Sequence, residues 1–236
     1  MPRRLIVHLD GVAALRESAG RRLPDPVAAA VLVELGEAEG IAVQLRGDRR
    51  HVQDRDARLL RQTVHRHFCL DMAPTAEMLK IALELRPDSV GLVAEVDGEL
   101  SSSGGLDVMT ELAALGELVR ALHEGRIHSS LAVEPDLDQV KAAHRVGARG
   151  VRIVTNRFCE GGPDRAEERQ RIGDSVRLAS KLGLRVGIGG GLDLQRLQDL
   201  LGLAEIQDVH VGHAVVSRGL LVGLERAVAE MRAGIP

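Results

Sequence analysis

The feature that most restricts the fold of this chain is an alternation that never breaks. Short runs rich in aliphatic and β-branched residues are separated by longer stretches of helical period from end to end. The runs are Leu5–Leu9, Ile41–Leu45, Phe68–Asp71, Val90–Val93, Ser130–Val133, Val151–Val154, Arg185–Ile188 and Val209–Val211. Most are apolar on both faces, as buried parallel strands are. Helical patterns fall at 26–38, 54–66, 75–86, 108–124, 136–146, 164–182, 194–202 and 220–232. Asp25-Pro26, Pro74-Thr75 with Glu77 after it, and Pro135-Asp136 are helix-start signals. The result is about eight β-α units of roughly 30 residues, with no Pro/Gly/Ser linker between them. The pattern predicts a parallel sheet closed into a (β/α)8 TIM barrel, a single domain over residues 1–236. The alternative is an open, doubly wound sheet, which would carry a Gly-rich turn after its first strand. His8-Leu9-Asp10-Gly11-Val12 does not follow G-x-G-x-x-G, so the barrel is preferred.

Composition removes several partners. A net charge of −3 creates no field toward nucleic acid or anionic membrane. Aromatics are 1% of residues, too few for base-stacking platforms. Cys69 and Cys159 are far apart and form no C-x-x-C pair, so a cytoplasmic protein without disulfide or metal is expected. No run of about 20 apolar residues is present to span a membrane, and the first residues turn polar too early for a signal peptide.

In such a barrel, chemistry gathers just after each strand. Those positions supply His8 and Asp10, then Gln44, Arg46 and His51, Asp71, Glu95, Thr155 and Asn156, Gly189-Gly190-Gly191 and Gly212-His213. Glycines after the seventh and eighth strands let backbone N–H groups approach an anion, where barrels commonly bind phosphate. Either loop alone could be only a tight turn. Arg46-Gly47-Asp48-Arg49-Arg50-His51 is dense in cations; Arg46 and His51 are read as ligand contacts, with Arg49 and Arg50 structural. Asp10 and Asp71 are carboxylates at the mouth of an interior expected to be mostly apolar, suited to act as bases or to accept a substrate hydroxyl. His8 would point into the barrel or its mouth. His65, His67, His123, His128, His144 and His210 read as surface or packing residues.

Pro24-Asp25-Pro26-Val27, Leu45-Arg46-Gly47-Asp48-Arg49-Arg50-His51, Gly104-Gly105-Leu106-Asp107-Val108 and Val211-Gly212-His213-Ala214 resemble the pyridoxine 5′-phosphate synthase family, in order and over essentially the whole chain. The resemblance implies a homo-oligomeric (β/α)8 barrel that needs no metal or organic cofactor. It implies condensation of 1-deoxy-D-xylulose 5-phosphate with 3-amino-2-oxopropyl phosphate to form a pyridine ring. Asp10, Arg46, His51, Gly191, Gly212 and His213 match the family's ligand-binding positions, and Ser101 stands where the family has Thr.

The departures carry more information. Gln44 replaces the family's first basic His, Asp71 its basic Glu, and Gly190 its proton-donating His. Gly11 replaces a His, His8 an Asn, and Ala19 a substrate-binding Arg. Each missing acid or base typically costs 10²–10⁴-fold, so the standard reaction should nearly vanish unless other groups, such as His8 or Glu95, take over. Three readings follow: a divergent condensing enzyme acting on a phosphorylated ketose, standard ring synthesis, or a non-catalytic binder of a phosphorylated metabolite.

Overall fold

The computed structural model describes residues 3–95 and 104–236. Its strands are β1 (Arg4–His8), β2 (Gly40–Gln44), β3 (Phe68–Met72), β4 (Ser89–Leu92), β5 (His128–Val133), β6 (Gly150–Val154), β7 (Arg185–Gly189) and β8 (Asp208–Val211). All pair in parallel and in chain order, and β8 returns to β1 with Val7 opposite Val211. Closure leaves no strand edge exposed. Every predicted run overlaps one of these strands, those ending at Leu9, Leu45 and Val93 by all but their last residue, and the predicted (β/α)8 barrel is the observed fold.

The first helices are α1 (Asp10–Ser18), α2 (Pro26–Leu35), α3 (Asp54–Thr63) and α4 (Ala76–Leu85). Next come α5 (Leu112–Glu124), α6 (Leu137–Arg145), α7 (Asn156–Glu160) and α8 (Arg165–Lys181). The last are α9 (Leu194–Gln198), α10 (His213–Val222) and α11 (Leu224–Ala233). The start signals work as read. Asp25 accepts from the Val27 N–H, Thr75 from Met78, and Asp136 from Asp138 and Gln139. Helices α1, α7 and α10 were not foreseen. The pattern read as 220–232 spans a break, because Gly223, at φ +89°, ends α10 and starts α11.

The main core lies between strands and helices, where Leu5, Val7, Val43, Leu70 and Ile153 meet Leu60, Met78, Val140 and Ile172. The barrel interior differs from the apolar filling expected. Small residues such as Ala42, Cys69, Gly91 and Gly187 share it with His8, Asp71, Arg152 and His210. At the N-terminal end Asp208 takes paired hydrogen bonds from Arg4 (2.7 and 2.9 Å) and Arg185 (2.6 and 2.8 Å). Burial pushes that carboxyl up, but the two guanidiniums outweigh it and hold it below the usual carboxylate range. This clamp ties β7, β8 and β1 where the barrel closes. Among the described residues, no helix is long and apolar enough to cross a membrane.

Candidate active site

The C-terminal ends of the strands surround a cavity of about 590 Å³, a size suited to a small metabolite. Asp10, where β1 turns into α1, uses Oδ1 to accept the Gln44 N–H at 2.7 Å and so fixes the end of β2. Its Oδ2 lies 3.6 Å from His8 Nδ1. Asp71 projects inward from β3 because β4 offers Gly91 beside it; a Cβ there would overlap the Asp71 carboxylate. Arg152 Nη2 donates to Asp71 Oδ2 at 2.7 Å, and that oxygen is 3.9 Å from His8 Nδ1. Arg152 Nη1 is 3.3 Å from His210 Nδ1, and His8 Nε2 reaches the same atom at 3.0 Å. Burial, helped by the neighbouring Arg152 and His8, holds His210 well below the usual imidazole range and keeps it neutral. Four polar side chains from four strands thus form one network on the cavity floor.

The opposite wall is built from glycine turns. Gly190 and Gly191 follow β7 at φ +114° and +70°, a backbone region that favours glycine. Thr155 Oγ1 donates to the Gly190 carbonyl at 2.6 Å. Gly212 and His213 open the ten-residue α10, and together with Ala214 they line the cavity. Gly212 also makes room for His8, since a Cβ there would lie 3.1 Å from His8 Cβ.

His51 completes the cavity from the β2 side. Its Nδ1 accepts the Val52 N–H at 2.7 Å, so the neutral ring carries its proton on Nε2. That Nε2–H is buried at the cavity and has no partner among the described residues, in a side chain only 1% exposed. A buried donor left unmatched is an uncommon feature in a folded protein. Arg16 supports the loop by donating to the His51 carbonyl at 3.1 Å while gripping Asp56 at 2.8 and 2.6 Å.

The sequence-predicted site residues therefore separate. His8, Asp10, Gln44, His51, Asp71, Gly190, Gly191, Gly212 and His213 line one cavity. Arg46 does not line it. It is fully buried, bonded to Asp48 at 3.1 Å and 3.7 Å from Glu95. Glu95 accepts the Gly47 N–H at 3.1 Å, so it organises that loop and does not line the cavity. Arg49 pairs with Asp54 and Glu77, in keeping with a structural role. Ser101 lies outside the described residues. Sequence reading missed Arg152 and misplaced His210, which lines the cavity floor. The available signal was a charged or titratable residue inside an otherwise apolar strand, Val-Arg-Ile-Val and Val-His-Val.

Gly190 is matched to its surroundings. A Cβ at this position would overlap the Asn156 side-chain amide, and φ +114° is strained for any other residue. Restoring an imidazole with Gly190→His alone is expected to destabilise the fold by about 1–3 kcal/mol and add no turnover. Urea denaturation and a product assay check this; unchanged stability would show that Asn156 swings away freely.

The fold and cavity define a (β/α)8-barrel protein whose site lies at the C-terminal ends of its strands. The chain belongs to the pyridoxine 5′-phosphate synthase family: the family described as "Pyridoxal phosphate biosynthesis protein PdxJ" matches residues 5–236. The pyridoxine 5′-phosphate synthase of Desulfatibacillum aliphaticivorans is 47% identical over 229 residues, covering 97% of each chain. That of Geobacter metallireducens is 46% identical over 230 residues, covering 97% of this chain and 96% of the relative. Among solved structures, KGPDC from Streptococcus mutans superposes with TM-score 0.67 at 14% identity, over 100% of this chain and 99% of that one. The 3-hexulose-6-phosphate synthase of Salmonella typhimurium gives TM-score 0.61 at 16% identity, over 98% of both. These two likenesses concern the fold alone.

Proposed function

We propose that this chain is a pyridoxine 5′-phosphate synthase-like condensing enzyme. It binds a phosphorylated ketose of the 1-deoxy-D-xylulose 5-phosphate type and joins it to an amino or oxo partner, with substrate or product altered from the family's standard reaction. The observation that carries ketose phosphate binding is the unmatched, buried His51 Nε2–H. It faces a cavity shared with the Gly190-Gly191 turn and the α10 N-terminus, and oxyanions fit that set of donors. The altered chemistry is supported by Gln44, which cannot take a proton near neutral pH, and by Asp71, whose Oδ2 is engaged by Arg152. Gly190 offers no side chain, and Asn156 fills the adjoining space.

Isothermal titration with 1-deoxy-D-xylulose 5-phosphate is expected to give saturable binding. Loss of a charge-assisted hydrogen bond in His51→Ala or His213→Ala should weaken it about 10-fold or more, on the order of 1.5–3 kcal/mol. No binding by the unmodified protein would sink the ketose reading. With 3-amino-2-oxopropyl phosphate added, mass spectrometry should find little or no pyridoxine 5′-phosphate. Rapid formation of that product would restore the standard reaction as the function.

A further inference from the structure

The bonding around His8 defines which of its nitrogens can do chemistry. A guanidinium only donates, so Arg152 Nη1 at 3.3 Å makes His210 Nδ1 an acceptor. His8 Nε2, 3.0 Å from that same Nδ1, must then carry the proton and donate it. The neutral His8 ring is left with its lone pair on Nδ1. That atom lies 3.6 Å from Asp10 Oδ2 and 3.9 Å from Asp71 Oδ2, beyond hydrogen-bond length to either. Each of the other candidates for removing a proton already accepts a hydrogen bond on at least one carboxylate oxygen. Asp71 Oδ2 accepts from Arg152, Asp10 Oδ1 from the Gln44 N–H, and Glu95 from the Gly47 N–H.

Resting on the ketose phosphate reading above, we propose that His8 is the general base of this site, acting through Nδ1, with His210 and Arg152 as positioning residues that hold its tautomer. In the step assigned to it, the C–H bond beside the ketose carbonyl breaks, its electron pair enters the enolate, and the proton goes to Nδ1. Return of the proton from the same nitrogen reverses the step. The imidazolium formed faces the carboxylates of Asp10 on α1 and Asp71 on β3. The other titratable or charged groups around it are Arg152 on β6, the neutral His210 on β8, and Cys69 on β3, whose thiol burial pushes up to about 12. Gly212, by leaving room for the His8 Cβ, is part of the same arrangement.

The test needs no partner substrate. In D2O, the unmodified protein is expected to exchange deuterium into 1-deoxy-D-xylulose 5-phosphate at the carbon beside the carbonyl, as followed by proton NMR. His8→Asn and His8→Gln should each lower that rate 10²–10⁴-fold. Their ketose phosphate Kd should stay within about threefold, which also serves as the folding control. The rising limb of the pH–exchange profile should disappear in both variants. His210→Gln should lower the maximal exchange rate and displace that limb while leaving KM nearly unchanged, which a purely structural role would not do. Nitrogen-15 NMR should find His8 in the Nε2–H form. Unchanged exchange in both His8 variants, or an Nδ1–H tautomer, overturns the proposal. If the unmodified protein binds the ketose phosphate without exchanging it, the base is overturned and the binding reading survives. If nothing binds, both fall.

Discussion

Asp71→Asn is expected to lower the stability of this barrel by about 3–5 kcal/mol, more than an ordinary surface substitution does. Asn has nearly the same shape and keeps one acceptor, so packing changes little. The electrostatics change completely. The Arg152 side chain is 11% exposed and that of Asp71 5%. Burial works against the Arg152 charge, and the Asp71 carboxylate outweighs it, so the guanidinium titrates above its usual range. Remove the carboxylate charge and the burial penalty is opposed mainly by the more distant Asp10 carboxylate. Arg152→Met in the same background removes the stranded cation, so Asp71→Asn with Arg152→Met should recover most of the loss. A double-mutant cycle by urea denaturation should then give a coupling of about 2 kcal/mol or more. Deuterium exchange should not return with stability, because the double variant also removes the donor that holds His210 and, through it, His8. Additive losses would mean that the two groups do not share a dry environment.

This pairing also shows where reading the chain stopped short. Strands were legible because residues such as Val43, Leu70 and Ile153 bury one face against helices, while small residues fill the other. The glycine turns at Gly190-Gly191 and Gly212 were legible because barrel geometry dictates where turns seven and eight must meet. Asp71 and Arg152 are 81 positions apart, and nothing local to either announces the other. Only the register across the closed sheet turns both inward. Arg46 shows the opposite case. It reads as an oxyanion grip, yet Asp48, two residues on, is close enough to take its guanidinium. Helices α1 and α10 were overlooked because neither has a side-chain cap, and α10 carries Val215, Val216 and Gly219, all weak helix formers.

Beneath His51 a second buried ion pair carries a second large effect. Asp56 is fully buried and Arg16 6% exposed, so their paired bonds at 2.8 and 2.6 Å lie out of water. Asp56 also accepts the Gln53 N–H at 3.0 Å, which starts α3, while Arg16 holds the His51 carbonyl. Burial pushes the Asp56 carboxyl up, but hydrogen bonds from Arg16 and the Gln53 N–H more than offset this and leave it below the usual carboxylate range. Asp56→Asn leaves the Arg16 cation with the more exposed Glu17 carboxylate, 2.9 Å away, as its remaining ionic partner and is expected to cost about 3 kcal/mol at pH 7. A carboxyl depressed in the folded state stabilises fully above its unfolded value of about 3.9, and that contribution fades as pH falls through the folded value. The deficit of Asp56→Asn should therefore hold constant from pH 7 to about pH 4 and narrow only below it. On the proposed ketose phosphate reading, affinity should fall with stability, because the carbonyl that Arg16 steadies belongs to His51, whose side chain lines the cavity. Urea midpoints across that pH range, with titration calorimetry at pH 7, measure both. A stable Asp56→Asn protein with unchanged affinity would mean that the His51 loop holds its shape without the buried pair.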